Sequence, residues 1–304
     1  MDRGEGVSAD DAFALLGNGT RIRILRELWR LTHEEGTDRN EPVPFSELQA
    51  AVGADDSGNF SYHLDRLVGP FVEQVPEGYL VRRAGTHIVR AILAGTVTED
   101  PCCGPVEIDE ACYRCGSPVE ASYSDGRLYA RCTACDGAID ADGGAVTAQT
   151  VPPAGVAGRT LPAAVRAACV NYVAEIDMLC ADVCPVCAGQ VDPELRVCSE
   201  HSVPDGGLCP ACGAEPRVAA RATCRNCRFH RVFVPVFVAH DHPIVAETLT
   251  ERGYDSAAPG FRELSEMLKW PSEPSADGVV YTVPSPGGDR AIRIDGAFSV
   301  REAE

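Results

Sequence analysis

The sequence predicts an α+β protein, in which a winged helix-turn-helix domain is followed by zinc-ribbon modules and a small α+β region at the carboxyl end. Three observations support this fold class. A short helical pattern at residues 57–68 leads directly into a candidate hairpin at residues 71–83. Two Cys-x-x-Cys pairs then flank a second candidate hairpin, and a denser group of cysteines follows them. Beyond residue 227, a strand pattern is followed by two helix patterns and a closing hairpin.

The composition is strongly acidic. The 304 residues carry a net charge of -18, from 45 acidic and 27 basic side chains, and Lys269 is the one lysine. This skew fits either a generally acidic surface or adaptation to a cytoplasm of molar salt, and we favour the second, halophilic interpretation. Acidity does not exclude DNA as a partner, because counterion release contributes little for any protein in molar salt.

The chain has fifteen cysteines, no secretory signal pattern and no apolar run long enough to span a bilayer. Most of the cysteines lie in Cys-x-x-Cys pairs, whereas a disulfide scaffold would require export. We therefore expect reduced thiols, a cytoplasmic location and no membrane partner.

The first third of the chain predicts five helices and a hairpin. Residues 10–16 and 20–31 form the first two helices, with Phe13 and Leu16 of the first pointing inward and Thr20 capping the second. Ser46 is expected to cap a third helix, which Gly53 ends in a left-handed turn.

The fourth helix, at residues 57–68, is the predicted recognition helix. Phe60, Leu64 and Leu67 share one helical face, and the opposite face presents hydrogen-bonding side chains. Together with the third helix it has helix-turn-helix spacing, and the hairpin about residues 76–78 is the expected wing. These elements define a DNA-binding domain at residues 1–98; the alternative is a winged helix that serves only protein binding or dimerisation.

A fifth helix at residues 86–93 has an apolar side formed by Ile88, Val89, Ile92 and Leu93. That side is broader than one small core requires. We expect it to form a homodimer interface with the first helix; burial within the domain is the alternative.

The run at residues 13–25, the segments Phe45-Ser-Glu-Leu48 and Ser61-Tyr-His-Leu64, and the wing resemble the winged helix-turn-helix of ArsR-type transcriptional regulators. Residues 56–64 and 91–96 resemble halophilic archaeal members with a cysteine-rich carboxyl half. The resemblance implies a dimer that contacts double-stranded DNA through the recognition helix and the wing. The DNA-contacting residues that it implies are Ser57, Asn59, Ser61, Tyr62, His63, Arg66, Arg82 and Arg83. The carboxylates of Asp65 and Glu77 depart from strong DNA binders, because they repel phosphates.

Two Cys-x-x-Cys pairs predict a zinc ribbon at residues 105–150. The pairs flank a hairpin whose turn is Asp125-Gly126. Each Cys-x-x-Cys pair forms a tight turn, here called a knuckle, and two knuckles joined by a hairpin bring four sulfurs to the corners of a tetrahedron. A redox role is disfavoured, because no thioredoxin-like βαβ pattern surrounds the pairs. The predicted ligands are Cys112, Cys115, Cys132 and Cys135.

Residues 158–304 begin with a long helix at residues 161–181, in which Cys169 and Cys180 are predicted to be core residues. Eight soft ligands then occur within 44 residues, which favours two four-ligand zinc sites. Pairing of sequence neighbours assigns Cys184, Cys187, Cys198 and His201 to one site, and Cys209, Cys212, Cys224 and Cys227 to the other. Interleaved pairing stays open, and His201 is alternatively an exposed turn residue.

Zn²⁺ is therefore the expected cofactor, as three structural ions. No site has the open coordination position and nearby base that catalytic zinc requires, and no nucleophile or phosphate-loop motif occurs, so an enzyme is not expected. The vicinal thiols of Cys102 and Cys103 could bind a soft ion such as arsenite, or could simply lie in a linker.

The carboxyl end predicts a strand at residues 228–239, helices at residues 244–252 and 261–268, and a closing hairpin from residues 279–283 and 291–300. His240 and His242 could bind a metal, but a helix-entry turn before Pro243 explains them equally well. This region is expected to offer a surface for an unknown effector or partner.

Taken together, these features predict a DNA-binding transcriptional regulator with structural zinc sites. The alternative is a zinc-ribbon adaptor that docks on the transcription machinery without sequence-specific DNA readout.

Overall fold

A computed structural model describes residues 7–33, 41–138, 144–201, 208–209, 211, 215–256, 259–285 and 287–303. It divides the chain into two compact units, Met1–Glu99 and Asp100–Glu304, which we call the first and the second unit. Both contain helices and strands, as the α+β prediction requires.

In the part of the first unit that the structure describes, there are five helices and one two-stranded sheet. The fourth helix begins where Asp56 Oδ1 accepts hydrogen bonds from the backbone of Gly58 and Asn59, at 2.9 and 3.1 Å. The second helix is capped by Asn18 rather than by Thr20, and the third begins after Pro44 with no side-chain cap from Ser46. The elements are α1 (Ala9–Leu16), α2 (Gly19–Leu31), α3 (Phe45–Val52), α4 (Ser57–Leu67), β1 (Val72–Val75), β2 (Gly78–Val81) and α5 (Arg83–Leu93).

The core of the first unit lies between α2, α4 and the hairpin. Phe60, Leu64 and Leu67 are fully buried, as their helical spacing predicts. Gly53 ends α3 with a φ of 68°, the left-handed conformation that favours glycine. At Gly78 a Cβ atom would lie 2.3 Å from the carbonyl oxygen of Val43, so a glycine is needed where the hairpin meets that segment.

Helices α1 and α5 each expose one large apolar side chain. Phe13 of α1 is 71% exposed, so the prediction that it points inward is wrong. Leu93 at the end of α5 is 55% exposed, whereas Val89 of the same helix is buried.

The described residues of the second unit form three α-helices and four sheets. The helices are α6 (Leu161–Cys180), α7 (Pro243–Glu251) and α8 (Phe261–Met267). The strands are β3 (Cys103–Ala111), β4 (Pro118–Ser124), β5 (Arg127–Cys132), β6 (Ala145–Thr150), β7 (Val191–Val197), β8 (Leu208–Cys209), β9 (Glu215–Pro216), β10 (Val218–Cys224), β11 (His230–Phe233), β12 (Ser272–Ser275), β13 (Gly278–Val283), β14 (Arg290–Asp295) and β15 (Val300–Ala303).

All the sheets of this unit are antiparallel. Their strand orders are β3-β4-β5-β6, β11-β10-β7, β8-β9 and β12-β13-β14-β15. Side chains from α6, α7, α8 and the three larger sheets form one hydrophobic core, which includes the buried Cys169. Residues 105–150 and 158–304 thus share a core, although the sequence alone treats them separately.

Three predictions for the second unit need correction. The predicted strand at 228–239 is a strand only over His230–Phe233, because Pro235 begins a 3-10 helix that runs to Ala239. The predicted strand at 291–300 is two strands, since Asp295 accepts backbone hydrogen bonds from Ala297 and Ser299 and turns the chain. Cys180 is exposed instead of buried, as it lies in the last turn of α6.

Within the residues that the structure describes, none of the helices combines the length and the apolar character needed to cross a bilayer.

Candidate metal centres

The first candidate centre is built from Cys112, Cys115, Cys132 and Cys135. Antiparallel pairing of β4 and β5 places Val119 opposite Cys132, which brings the knuckle after β3 to the knuckle after β5. The Sγ atoms of Cys112 and Cys135 are 3.7 Å apart, and those of Cys115 and Cys132 are 3.4 Å apart. Tetrahedral zinc with Zn–S bonds of about 2.3 Å holds its sulfurs about 3.8 Å apart, so the four thiols fit one ion.

Backbone and side-chain donors support these sulfurs. The backbone N–H groups of Ala134 and Cys135 both donate to Cys132 Sγ, each at 3.4 Å. Hydrogen bonds from Ser117 lower the pKa of Cys115 to about 6. Donors aimed at sulfur favour the thiolate, which is the form that binds metal.

The second candidate centre contains Cys184, Cys187, Cys224 and Cys227. Its Sγ separations are 3.6 Å between Cys184 and Cys227 and 3.5 Å between Cys187 and Cys224. The Asn226 side chain donates to Cys187 Sγ at 3.6 Å, and this contact is the largest cause of a pKa of about 6 for that thiol. The donor set and its spacing again suit tetrahedral zinc.

The third candidate centre brings together Cys198, His201 and Cys209. Cys198 Sγ lies 3.4 Å from His201 Nδ1 and 3.5 Å from Cys209 Sγ. His201 is exposed at the rim of the group, whereas Cys209 is buried. Cys212, the remaining predicted ligand, lies outside the described residues.

The pairing of sequence neighbours in the 184–227 segment is therefore wrong. β7 and β10 pair antiparallel over their full length, from Val191↔Cys224 to Val197↔Val218. The first and last knuckles of the segment meet at one end of this ribbon, and Cys198 follows β7 at the other end. Since a seven-residue strand spans about 20 Å, a site at one end cannot share ligands with a site at the other.

The two ligands of each knuckle have the same spacing in sequence, so the spacing could not reveal which knuckles share a site. The sequence also did not single out Ser117 and Asn226, whose side chains donate to metal-binding sulfurs. The available signal was their position, since Ser117 follows Cys115 by two residues and Asn226 lies inside the Cys224–Cys227 pair.

The residues implied in DNA contact lie mainly on the outer face of α4. Tyr62 is 52% exposed, and the Arg66 guanidinium lies 5.4 Å from its ring centroid. Ser57 and Asn59 are also exposed, whereas Ser61 and His63 are half-buried.

The two arginines implied at the wing do not lie on the outer face of α4. Arg82 donates a hydrogen bond to the Gly69 carbonyl oxygen and so ties the base of the hairpin, while Arg83 is exposed at the start of α5. Arg82 therefore has a structural role that its sequence position did not reveal.

The other candidate ligands do not join a centre among the described residues. Cys102 and Cys103 are both exposed and belong to none of the three groups. His240 Nε2 lies 2.7 Å from Asp177 Oδ1, so this histidine links the 3-10 segment to α6. The described residues thus concentrate metal-binding chemistry in the three groups above.

Comparisons with known proteins identify two family models in the chain. Residues 9–92 match one described as a domain of unknown function (DUF7347), and residues 109–300 match one described as a domain of unknown function (DUF7351). No curated protein and no solved structure matches the chain.

Proposed function

Since the chain belongs to the DUF7351 family, whose description names no activity, we propose its function from its own residues: a dimeric, DNA-binding transcriptional regulator of ArsR-like winged-helix type, with three structural zinc ions. The observation that carries the proposal is the outer face of α4, which presents polar side chains on a helix held by a buried face.

The geometry of α4 supports major-groove recognition. Phe60, Leu64 and Leu67 hold the helix against the core, so Tyr62 and Arg66 project outward. Guanidinium, amide and hydroxyl groups are the side chains that read base edges and phosphates. A short helix and a glycine turn precede α4, and a hairpin follows it, which is the element order of a winged helix.

The charge around this face sets the proposed conditions of binding. Asp65 lies beside Arg66 on α4, and Glu77 is exposed at the hairpin tip. Both carboxylates repel phosphates at low salt, whereas at 1 M salt the Debye length falls to about 3 Å and this repulsion is screened. Recognition by α4 is accordingly strongest in molar salt.

The proposed dimer uses the exposed apolar side chains of α1 and α5. Phe13 and Leu93 are each more than half exposed, and Trp29, Ile88 and Ile92 are half-buried. Large apolar side chains gain from removal from water, at about 25 cal/mol per Å². Two copies that bury these residues place two recognition helices on one duplex.

The proposed zinc ions act as cross-links. Four thiols hold the first ion and four hold the second, while Cys198, His201 and Cys209 are the ligands of the third among the described residues. An ion bound in such a site contributes folding free energy of about 10 kcal/mol, because its ligands are scattered in the unfolded chain. Thiolate ligands require reduced cysteines, which fits the cytoplasmic location that the cysteine pattern predicts.

A genome-wide map of where the protein binds DNA, made in native salt, tests the proposal that it is a transcriptional regulator. Discrete footprints with two-fold symmetry are expected, and they should disappear in the Tyr62→Ala, Arg66→Ala double variant. If binding instead follows RNA polymerase along the genome and persists in the double variant, the regulator hypothesis is wrong and the zinc-ribbon adaptor is favoured.

A further inference from the structure

A partly open cavity of about 250 Å³ lies inside the second unit, between two of its sheets. β6 forms one wall and is the last strand of its four-stranded sheet; β11 forms another and is the last strand of its three-stranded sheet. Neither open edge pairs with a strand in the part of the chain that the structure describes. Residues of both edge strands line the cavity, together with residues of α6 and α8.

Several aromatic rings line this inter-sheet cavity. Tyr172, Phe233, Phe237 and Phe261 line it, and the Tyr172 and Phe237 rings meet edge to face with centroids 6.0 Å apart. Aromatic walls attract flat rings through offset and edge-to-face contacts, worth about 0.5–1.5 kcal/mol each beyond area burial. The cavity is therefore suited to a ring system.

The ionic groups at the cavity are already neutralised. Arg231 is 19% exposed and pairs with Glu175, which is 17% exposed. A charged ligand would compete with this shielded pair and leave one partner uncompensated, which is costly. The buried Nε of Arg231 has no hydrogen-bond partner among the described residues, so it can donate to a neutral acceptor while the pair stays formed. The lining thus favours an uncharged ligand.

A few neutral polar groups remain to orient such a molecule. Gln149 and Ser265 are both buried and line the cavity, together with the thiol of Cys169. Ligand pockets commonly combine apolar walls with a small number of polar groups of this kind.

From these features we propose that the inter-sheet cavity is a binding site for a small, neutral, aromatic molecule with one or two hydrogen-bonding groups. A cavity of about 150 Å³ holds benzene, so this one accommodates roughly ten non-hydrogen atoms. Bound there, the ligand bridges the open edges of two sheets. The proposed binding of this molecule does not depend on whether the chain binds DNA.

Indole, a neutral fused ring of suitable size, is the probe. Full-length, zinc-loaded protein in molar KCl is titrated with indole and followed by calorimetry and by protein NMR. Saturable binding at one site per chain is expected, with shifts at resonances of β6, β11 and α8. Absence of saturable binding overturns the proposal.

Two wall substitutions locate the site. Cys169→Leu adds bulk to a buried wall residue of α6 and should weaken indole binding at least about tenfold, or about 1.4 kcal/mol. Cys180→Leu is the matched control, because Cys180 is exposed on the same helix and is not part of the lining. Ser265→Leu, on the α8 wall, gives a second test should Cys169→Leu not fold. Wild-type affinity in a folded wall variant would refute the assignment.

Discussion

Val191 and Cys224 are direct partners at one end of the antiparallel ladder between β7 and β10. This pairing carries the Cys184–Cys187 knuckle to the Cys224–Cys227 knuckle across 36 intervening residues of chain. It also places Cys198 at the far end of the same ladder. One strand pair therefore separates the two metal centres of this segment and decides their ligands.

The interleaved ligand set predicts the zinc content of a double variant. Cys187→Ser with Cys224→Ser should remove one zinc ion per chain, from three to two, because both residues belong to the same group. Pairing of sequence neighbours would place them in different sites and would remove two ions. Elemental analysis of purified protein distinguishes these results, and Cys169→Ser, in the buried face of α6, serves as the control that retains all three.

Metal removal should unfold the second unit and leave the first folded. All three ligand groups of the described residues lie in the second unit, and each ion contributes about 10 kcal/mol to folding. Hydrogen exchange before and after a strong chelator is the measurement. Exchange protection should be lost in peptides of residues 100–304 and kept in α2 and α4; protection that persists across the second unit would contradict a structural role for the metal.

Replacement of Tyr62 and Arg66 by alanine should abolish specific DNA binding without unfolding the first unit. Both side chains are exposed on α4, so their truncation leaves the buried face intact, and a base contact is typically worth about 1–3 kcal/mol. Binding to an operator fragment is measured by fluorescence anisotropy in molar KCl. Arg166→Ala, at an exposed arginine of α6, controls for the loss of one positive charge.

Neutralising the acidic residues of the proposed DNA face should strengthen binding mainly at low salt. Asp65→Asn and Glu77→Gln each remove an exposed carboxylate, so the double variant should gain severalfold in affinity at 0.1 M salt, where the Debye length is about 10 Å. The gain should shrink towards zero at 1 M. A salt-independent effect would indicate a direct contact instead of repulsion.

Charged substitutions at the exposed apolar residues should dissociate the dimer. Phe13→Glu with Leu93→Glu places carboxylates in the proposed interface, where burial of an unpaired charge is strongly unfavourable. Sedimentation velocity in molar KCl should show the wild type as a dimer and the variant as a monomer. Val170→Glu introduces the same charge at an exposed position of α6 and should leave the oligomeric state unchanged.

The sequence by itself determined the local features of this protein. Helical spacing predicted the buried face of α4, and the Asp125-Gly126 turn predicted the β4–β5 hairpin, whose turn residues have φ of 50° and 68°. The Cys-x-x-Cys pairs likewise predicted sites that could hold metal ions. In each case the signal lies within a few residues of chain, where sterics and hydrogen bonding act directly.

Only the tertiary structure decided which knuckles meet and where the inter-sheet cavity lies. It also decided that Cys169 is buried and Cys180 is exposed. The Cys-x-x-Cys spacing of a knuckle is local, so it is the same whichever second knuckle completes the site. The second knuckle is determined by the strand register between residues that are distant in sequence. In the same way, residues of two edge strands line one cavity because α6 and both sheets pack in a single core. These long-range relationships depend on the core as a whole, and no short stretch of residues encodes them.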